Sequence, residues 1–136
     1  MEIKRDKYLE KLQIRRHNGF IKVITGIRRC GKSYLMNDIF YEKLIQEGVD
    51  ESHIIKFAFD SAEDLLLIGE DLQDLFINKK KVDPKKFMTF ISQRMIDNDM
   101  YYLLLDEVQN LGCFEAVLNG YLRKKNMDVY VTGSNS

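Results

Sequence analysis

A chain of 136 residues has the length of one domain and can remove about two thirds of its unfolded surface from water, so it needs no staple to hold a core. Its 21 basic and 21 acidic residues cancel, which excludes overall charge as a reason to bind nucleic acid or an anionic membrane. Cys30 and Cys113 are too few and too isolated for a disulfide framework or a zinc site and suit the cytoplasm, while the start MEIKRDKYLEKL lacks the apolar centre of a signal peptide and no run reaches the roughly 18 apolar residues of a membrane span.

Tyr8, Leu9 and Leu12 lie at helical spacing among charges, which predicts a short amphipathic helix over 5–16 that stops at HNG, 17–19. FIKVIT, 20–25, is aromatic and β-branched and reads as a buried strand. A helix follows over 33–46, where Leu35/Ile39, Met36/Phe40 and Phe40/Leu44 repeat at i, i+4 spacing, and Gly48 stands where a left-handed cap is wanted. HIIKFAF, 53–59, is the second strand, and Ser61 with Asp64 resembles a capping box for a helix through 65–67. Helix is expected again over 70–81 and over 83–96, the latter with Asp83 as cap and Pro84 at the first helical position, before DND breaks it at 97–99. MYYLLLDE, 100–107, reads as a strand buried on both faces, 111–122 as a helix, and DVYVTG, 128–133, as the fourth strand. Strands alternating with helices predict an α/β fold, three layers deep, around a mostly parallel sheet.

Between the first strand and its helix lies GIRRCGKS, 26–33, in which Gly26, Gly31, Lys32 and Ser33 satisfy G-x-x-x-x-G-K-[ST] in the strand-loop-helix setting the motif requires. Glycines let successive backbone N–H groups converge on phosphate oxygens, and the helix start adds its positive dipole end. Lys32 would reach the β- and γ-phosphates and the Ser33 hydroxyl would ligate Mg²⁺. Arg28, Arg29 and Cys30 fill the variable positions, either solvated or reaching toward the γ-phosphate or a neighbouring subunit. The cofactor-binding set is therefore Gly26, Cys30, Gly31, Lys32, Ser33 and Tyr34.

Asp106 and Glu107 end the third strand, where a parallel sheet opens its ligand crevice. Asp106 would hold Mg²⁺ alongside Ser33, and Glu107 would polarise the attacking water. Thr132, Ser134 and Asn135 close the fourth strand and are the candidates for a γ-phosphate sensor, with Asn135 taken as the catalytic one beside Lys32 and Glu107. Gln109 either bonds near the nucleophilic water or is a polar residue at a helix start. His17 and His53 have no acid or cysteine at metal spacing and read as surface or strand-edge histidines, Lys79–Lys81 reads as a solvated helix end, and the methionines read as core filler.

IKVITGIRRCGKSYLM, YYLLLDEVQN and DVYVTGSNS, in this order, resemble the bacterial and archaeal predicted ATPases of the AAA superfamily whose ATPase core is followed by a C-terminal domain of unknown function. The resemblance covers nearly the whole chain. It implies a P-loop ATPase of the ASCE type that binds ATP and Mg²⁺ and hydrolyses the nucleotide, with Gly26 to Ser33 as Walker A, Asp106 and Glu107 as Walker B with catalytic glutamate, and the end of the fourth strand as sensor one. It also implies the strand order 5-1-4-3-2 and makes residues 1–136 the N-terminal part of such a domain, truncated after the sensor-one strand, with the fifth strand, lid and C-terminal domain missing. The first strand then forms the sheet edge, and self-association through it is expected. The client, protein or nucleic acid, is left open.

Other phosphate-loop functions fit less well. A GTPase would carry N-K-x-D, and NKKK at 78–81 lacks the acid. A small-molecule kinase has no use for a water-polarising Glu107 beside Asp106. The non-enzymatic alternative is a nucleotide-dependent interaction module without turnover.

Overall fold

The computed structural model describes residues 21–24 and 29–133, with main chain alone at 29 and 30. The helix expected over 5–16, the loop's first glycine, Gly26, and the last three residues lie outside these. Four strands, β1 (Lys22–Ile24), β2 (Ile54–Ala58), β3 (Tyr101–Asp106) and β4 (Met127–Thr132), form a sheet of order β1-β4-β3-β2 in which every neighbouring pair is parallel. Parallel pairing needs a crossover after each strand, and helices supply it: α1 (Arg29–Tyr34), running through a π-helical stretch Leu35–Phe40 into α2 (Tyr41–Gln46); α3 (Ala62–Leu67) and α4 (Pro84–Arg94); and α5 (Phe114–Leu122).

Side chains alternate along the strands into two cores. Ile24, Ile54, Tyr102, Leu104 and Tyr130 pack with Leu35, Met36, Phe40 and Leu44 of the first crossover. Phe57, Leu103, Leu105, Val129 and Val131 face the other way and pack with Leu65, Phe87, Ile91, Leu118 and Tyr121 of α3, α4 and α5. Helices on both faces explain why every residue of β3 and β4 is buried.

Several local expectations hold. Gly48 ends the first crossover at φ 95°, Asp83 caps α4 by accepting from the Lys85 N–H at 2.9 Å, and Pro84 opens it. Others are corrected. The helix expected over 70–81 is only a π-helical stretch, Gln73–Ile77, because Lys79 turns left-handed at φ 57° and Val82 pairs with Leu111 instead. The helix expected from 111 starts at Phe114, after a 3₁₀ turn Val108–Asn110 and a left-handed Cys113. The capping box is half formed: Ser61 Oγ accepts from the Asp64 N–H, but the Asp64 carboxylate reaches back to the Ala58 N–H at 2.9 Å. The expected first strand is buried on one face only, since Val23 is 59% exposed.

β1 is the sheet edge, bonded to β4 on one side, and among the described residues no strand covers its other side. It is tied inward by the buried Lys22 ammonium on the Asp128 carboxylate, whose second oxygen accepts the Tyr130 hydroxyl at 2.9 Å.

Candidate nucleotide site

The carboxyl ends of β3 and β4 and the start of α1 meet at one rim of the sheet, because parallel strands all deliver their ends to the same side. Ser33 Oγ donates to Asp106 Oδ2 at 2.7 Å, joining the crossover helix to the end of β3. Asp106 Oδ1 accepts the Thr132 hydroxyl. The same hydroxyl oxygen accepts the Glu107 N–H at 3.1 Å, so one buried side chain of β4 orients both acids. Lys32 Nζ donates to the Gly133 carbonyl at 2.7 Å, placing the ammonium at the end of β4.

Glu107 is 2% exposed and sits at φ 56°, ψ 50°. A side-chain-bearing residue there costs about 1–2 kcal/mol against the right-handed region, and glycine would avoid most of it. An acid held in such a conformation points to use of its carboxylate. Gln109 Nε2 donates to Glu107 Oε1 at 2.7 Å from the 3₁₀ turn that follows. An open groove of about 470 Å³ adjoins Gln109, Thr132 and Gly133 and runs between α5 and the exposed side of β1, past Val23, Phe114 and Leu118.

The donor set suits a small hard cation. A hydroxyl and a carboxylate oxygen in contact at 2.7 Å are what Mg²⁺ takes from a protein that leaves its remaining positions to water and phosphate. Of the residues assigned from the sequence, Lys32, Ser33, Asp106 and Glu107 are brought together here. Gly31 is buried in α1 and Tyr34 is 44% exposed near its end. Gly26, Ser134 and Asn135, and the side chains of Arg29 and Cys30, lie outside the described residues.

Two assignments change. Thr132, a sensor candidate, is wholly buried and its hydroxyl is committed to Asp106 and Glu107, so it positions the acids. Gln109 is not merely a polar residue at a helix start, since it bonds the Glu107 carboxylate. Nothing in composition or spacing could have shown either contact, because each depends on which atom of a neighbouring strand or turn lies opposite.

The opposite rim carries a cluster that residue spacing does not reveal. His53 Nε2 lies 3.0 Å from Asp97 Oδ2 and 3.8 Å from Asp99 Oδ2, just before β2 and β3 begin. Its ring stands 4.7 Å from that of Tyr101. The hydrogen bond to Asp97 is the largest influence on the His53 pKa and raises it; burial, next in size, opposes it, the charges of Asp97, Asp99 and Asp50 add to the rise, and the same bond lowers the pKa of Asp97. A separation of 44 positions along the chain hid the pairing.

Comparison with known proteins shows the family. A family model described as an AAA domain matches residues 18–136. The chain is 31% identical over 135 residues to an uncharacterized protein of Haemophilus influenzae, an alignment covering 98% of this chain and 30% of that protein. It thus spans about a third of the length of the curated relative it matches. No solved structure matches it. With a phosphate-loop lysine and serine standing at the strand-end acids of a parallel sheet, and with the AAA domain pattern running through nearly all of its length, the chain belongs to the AAA domain family.

Proposed function

We propose that this chain binds ATP with Mg²⁺ and hydrolyses it, coupling turnover to a client yet to be identified. The observation that carries this reading is the 2.7 Å contact between Ser33 Oγ and Asp106 Oδ2, with Glu107 next in sequence and turned back by its left-handed main chain. Family membership, which suggests a nucleotide-binding ATPase-like domain, supports it.

In this reading Ser33 and Asp106 hold the cation, and the main-chain amides of Gly26, Cys30, Gly31, Lys32, Ser33 and Tyr34 cradle the phosphates. Bound Mg²⁺ supplies charge neutralisation at the phosphoryl oxygens. The Lys32 ammonium, here on the Gly133 carbonyl, binds β- and γ-phosphate oxygens. Glu107 orients a water and takes its proton, and its 2% exposure keeps bulk solvent from competing for the carboxylate. Asn135, three positions past Thr132 in the sequence, senses the γ-phosphate. No described helix is long and apolar enough to cross a membrane, and a cytoplasmic address suits the free thiol of the exposed Cys113.

Binding and chemistry separate by mutation. Lys32→Ala is expected to weaken ATP binding by about 10-fold or more, whereas Glu107→Gln keeps affinity and lowers kcat by about 100-fold or more. Calorimetric titration with Mg·ATP and phosphate release check the two. Equal losses of affinity in both variants would refute the division of roles, tight binding without turnover in the unaltered protein would favour an interaction module, and a phosphorylated acceptor in place of free phosphate would favour a kinase.

A further inference from the structure

The geometry points to Gln109 as a positioning residue for the hydrolytic reaction: its side-chain amide aims the Glu107 carboxylate. This inference rests on the hydrolysis reading above and adds to it a residue outside the Walker motifs. A carboxylate only accepts hydrogen bonds, so the group facing Glu107 Oε1 at 2.7 Å is the Gln109 NH₂. The amide oxygen is thereby turned toward the end of β4, where a Cβ built on Gly133 would meet Gln109 Oε1 at 3.0 Å. The carboxylate fixes one side of the amide, and a side chain at residue 133 would crowd the other.

The backbone that carries Gln109 is equally constrained. Its turn is closed by the Asn110 N–H on the Glu107 carbonyl at 3.1 Å. From outside, Lys81 Nζ donates to the Gln109 carbonyl at 3.0 Å and the Val82 N–H to the Asn110 carbonyl at 2.9 Å. The Gly112 N–H returns a bond to the Val82 carbonyl at 2.8 Å. The segment through Lys81 and Val82 is thus a strap over the turn, and its lysine, solvated as expected but beyond the helical stretch that ends at Ile77, also makes a structural bond.

A glutamate side chain has three rotatable bonds, and fixing the direction of its carboxylate removes states in which the water would be misaligned. A misplacement of about 1 Å at a reacting group can cost about 100-fold in rate. In this reading the phosphates are held by the loop amides and Lys32, so loss of Gln109 should fall on kcat and spare affinity.

The test uses the full-length protein and two variants that disturb the amide differently. Gln109→Met keeps the length and removes the donor; Gly133→Ala keeps the donor and crowds the amide oxygen beside it. Both are expected to lower kcat for ATP by about 10- to 100-fold while the Kd for Mg·ATP stays within about twofold. In a Glu107→Gln background, Gln109→Met is expected to add no further loss, since a residue acting through Glu107 has nothing left to aim. Unchanged kcat in Gln109→Met, a loss of affinity as large as the loss of rate, or additive losses in the double variant would each overturn the assignment. No turnover by the unaltered protein would overturn the hydrolysis reading, and this role with it, whereas turnover lost by Glu107→Gln but kept by Gln109→Met would overturn this role alone.

Discussion

Thr132 does the work of two residues with one hydroxyl. It donates to Asp106 and accepts from the Glu107 N–H at 3.1 Å in a place with no exposure to water. Valine has nearly the same shape and neither bond. Thr132→Val is therefore expected to leave a buried N–H and a carboxylate oxygen without this partner, at a cost of about 1–3 kcal/mol, and to weaken the Mg²⁺ dependence of nucleotide binding because Asp106 is no longer held. Urea unfolding and Mg²⁺ titrations check both, and Thr132→Ser should restore the magnesium response. A valine variant as stable as the parent and unaltered in that response would show the hydroxyl to be dispensable. At this scale the sequence was legible where a motif or a strand end fixes a residue's position. Lys32 and Ser33 could be named from motif spacing and Asp106 and Glu107 from the end of a strand, and all four stand at one rim. Thr132 and Gln109 could not, because a threonine ending a strand faces a partner only after strand order and register are set.

The elements show where local signals suffice and where they are overruled. Residues 83–96 carry a complete start signal, and α4 forms close to the expected bounds. Residues 70–81 have helical spacing too, but a left-handed Lys79 and the pairing of Val82 with Leu111 take the segment into a strap, since main-chain bonds to a neighbouring turn outweigh marginal propensity. The loops entering β2 and β3 are linked by His53 and Asp97, and this link should depend on pH. His53 holds its proton more firmly in the folded chain than in the unfolded one, so its contribution is complete below its ordinary value of 6.5 and fades as pH rises through the raised folded value. Asp97 is shifted downward, so its contribution is present above its ordinary value of 3.8 and is lost as pH falls through the lowered one. The pair is therefore strongest between about pH 4 and pH 6.5. The stability deficit of Asp97→Asn, measured by urea unfolding, is expected to be larger near pH 5.5 than near pH 9, and a deficit that does not change with pH would show that the pair carries no charge.

For the molecule as a whole, the decisive feature is that β1 lies, among the described residues, at the edge of a parallel sheet and precedes α1 in the chain. This agrees with the strand order implied by the resemblance, in which β1 neighbours β4 and β2 is the far edge. An edge strand presents unpaired main-chain groups, and Val23 adds an apolar side chain 59% exposed beside the open groove. The chain of residues 1–136 is expected to self-associate through this edge: light scattering should show mass rising with concentration, and Val23→Lys should reduce it. A monomer that persists at high concentration would refute the expectation. Counter to that exposure, the buried Lys22–Asp128 pair fastens β1 to β4, and breaking such a pair from one side typically costs about 3–5 kcal/mol.

By itself the amino-acid order determined the alternation of strands and helices, the two-sided burial of β3, the phosphate-loop spacing and the acids at a strand end, because periodicity and local chemistry act over a few neighbouring residues. Tertiary structure alone decided which side chains touch: Ser33 on Asp106, Thr132 between the two acids, Gln109 on Glu107, and His53 on Asp97. Those contacts join segments far apart in the chain, and their geometry exists only once parallel strands have taken their order and register and packed helices on both faces.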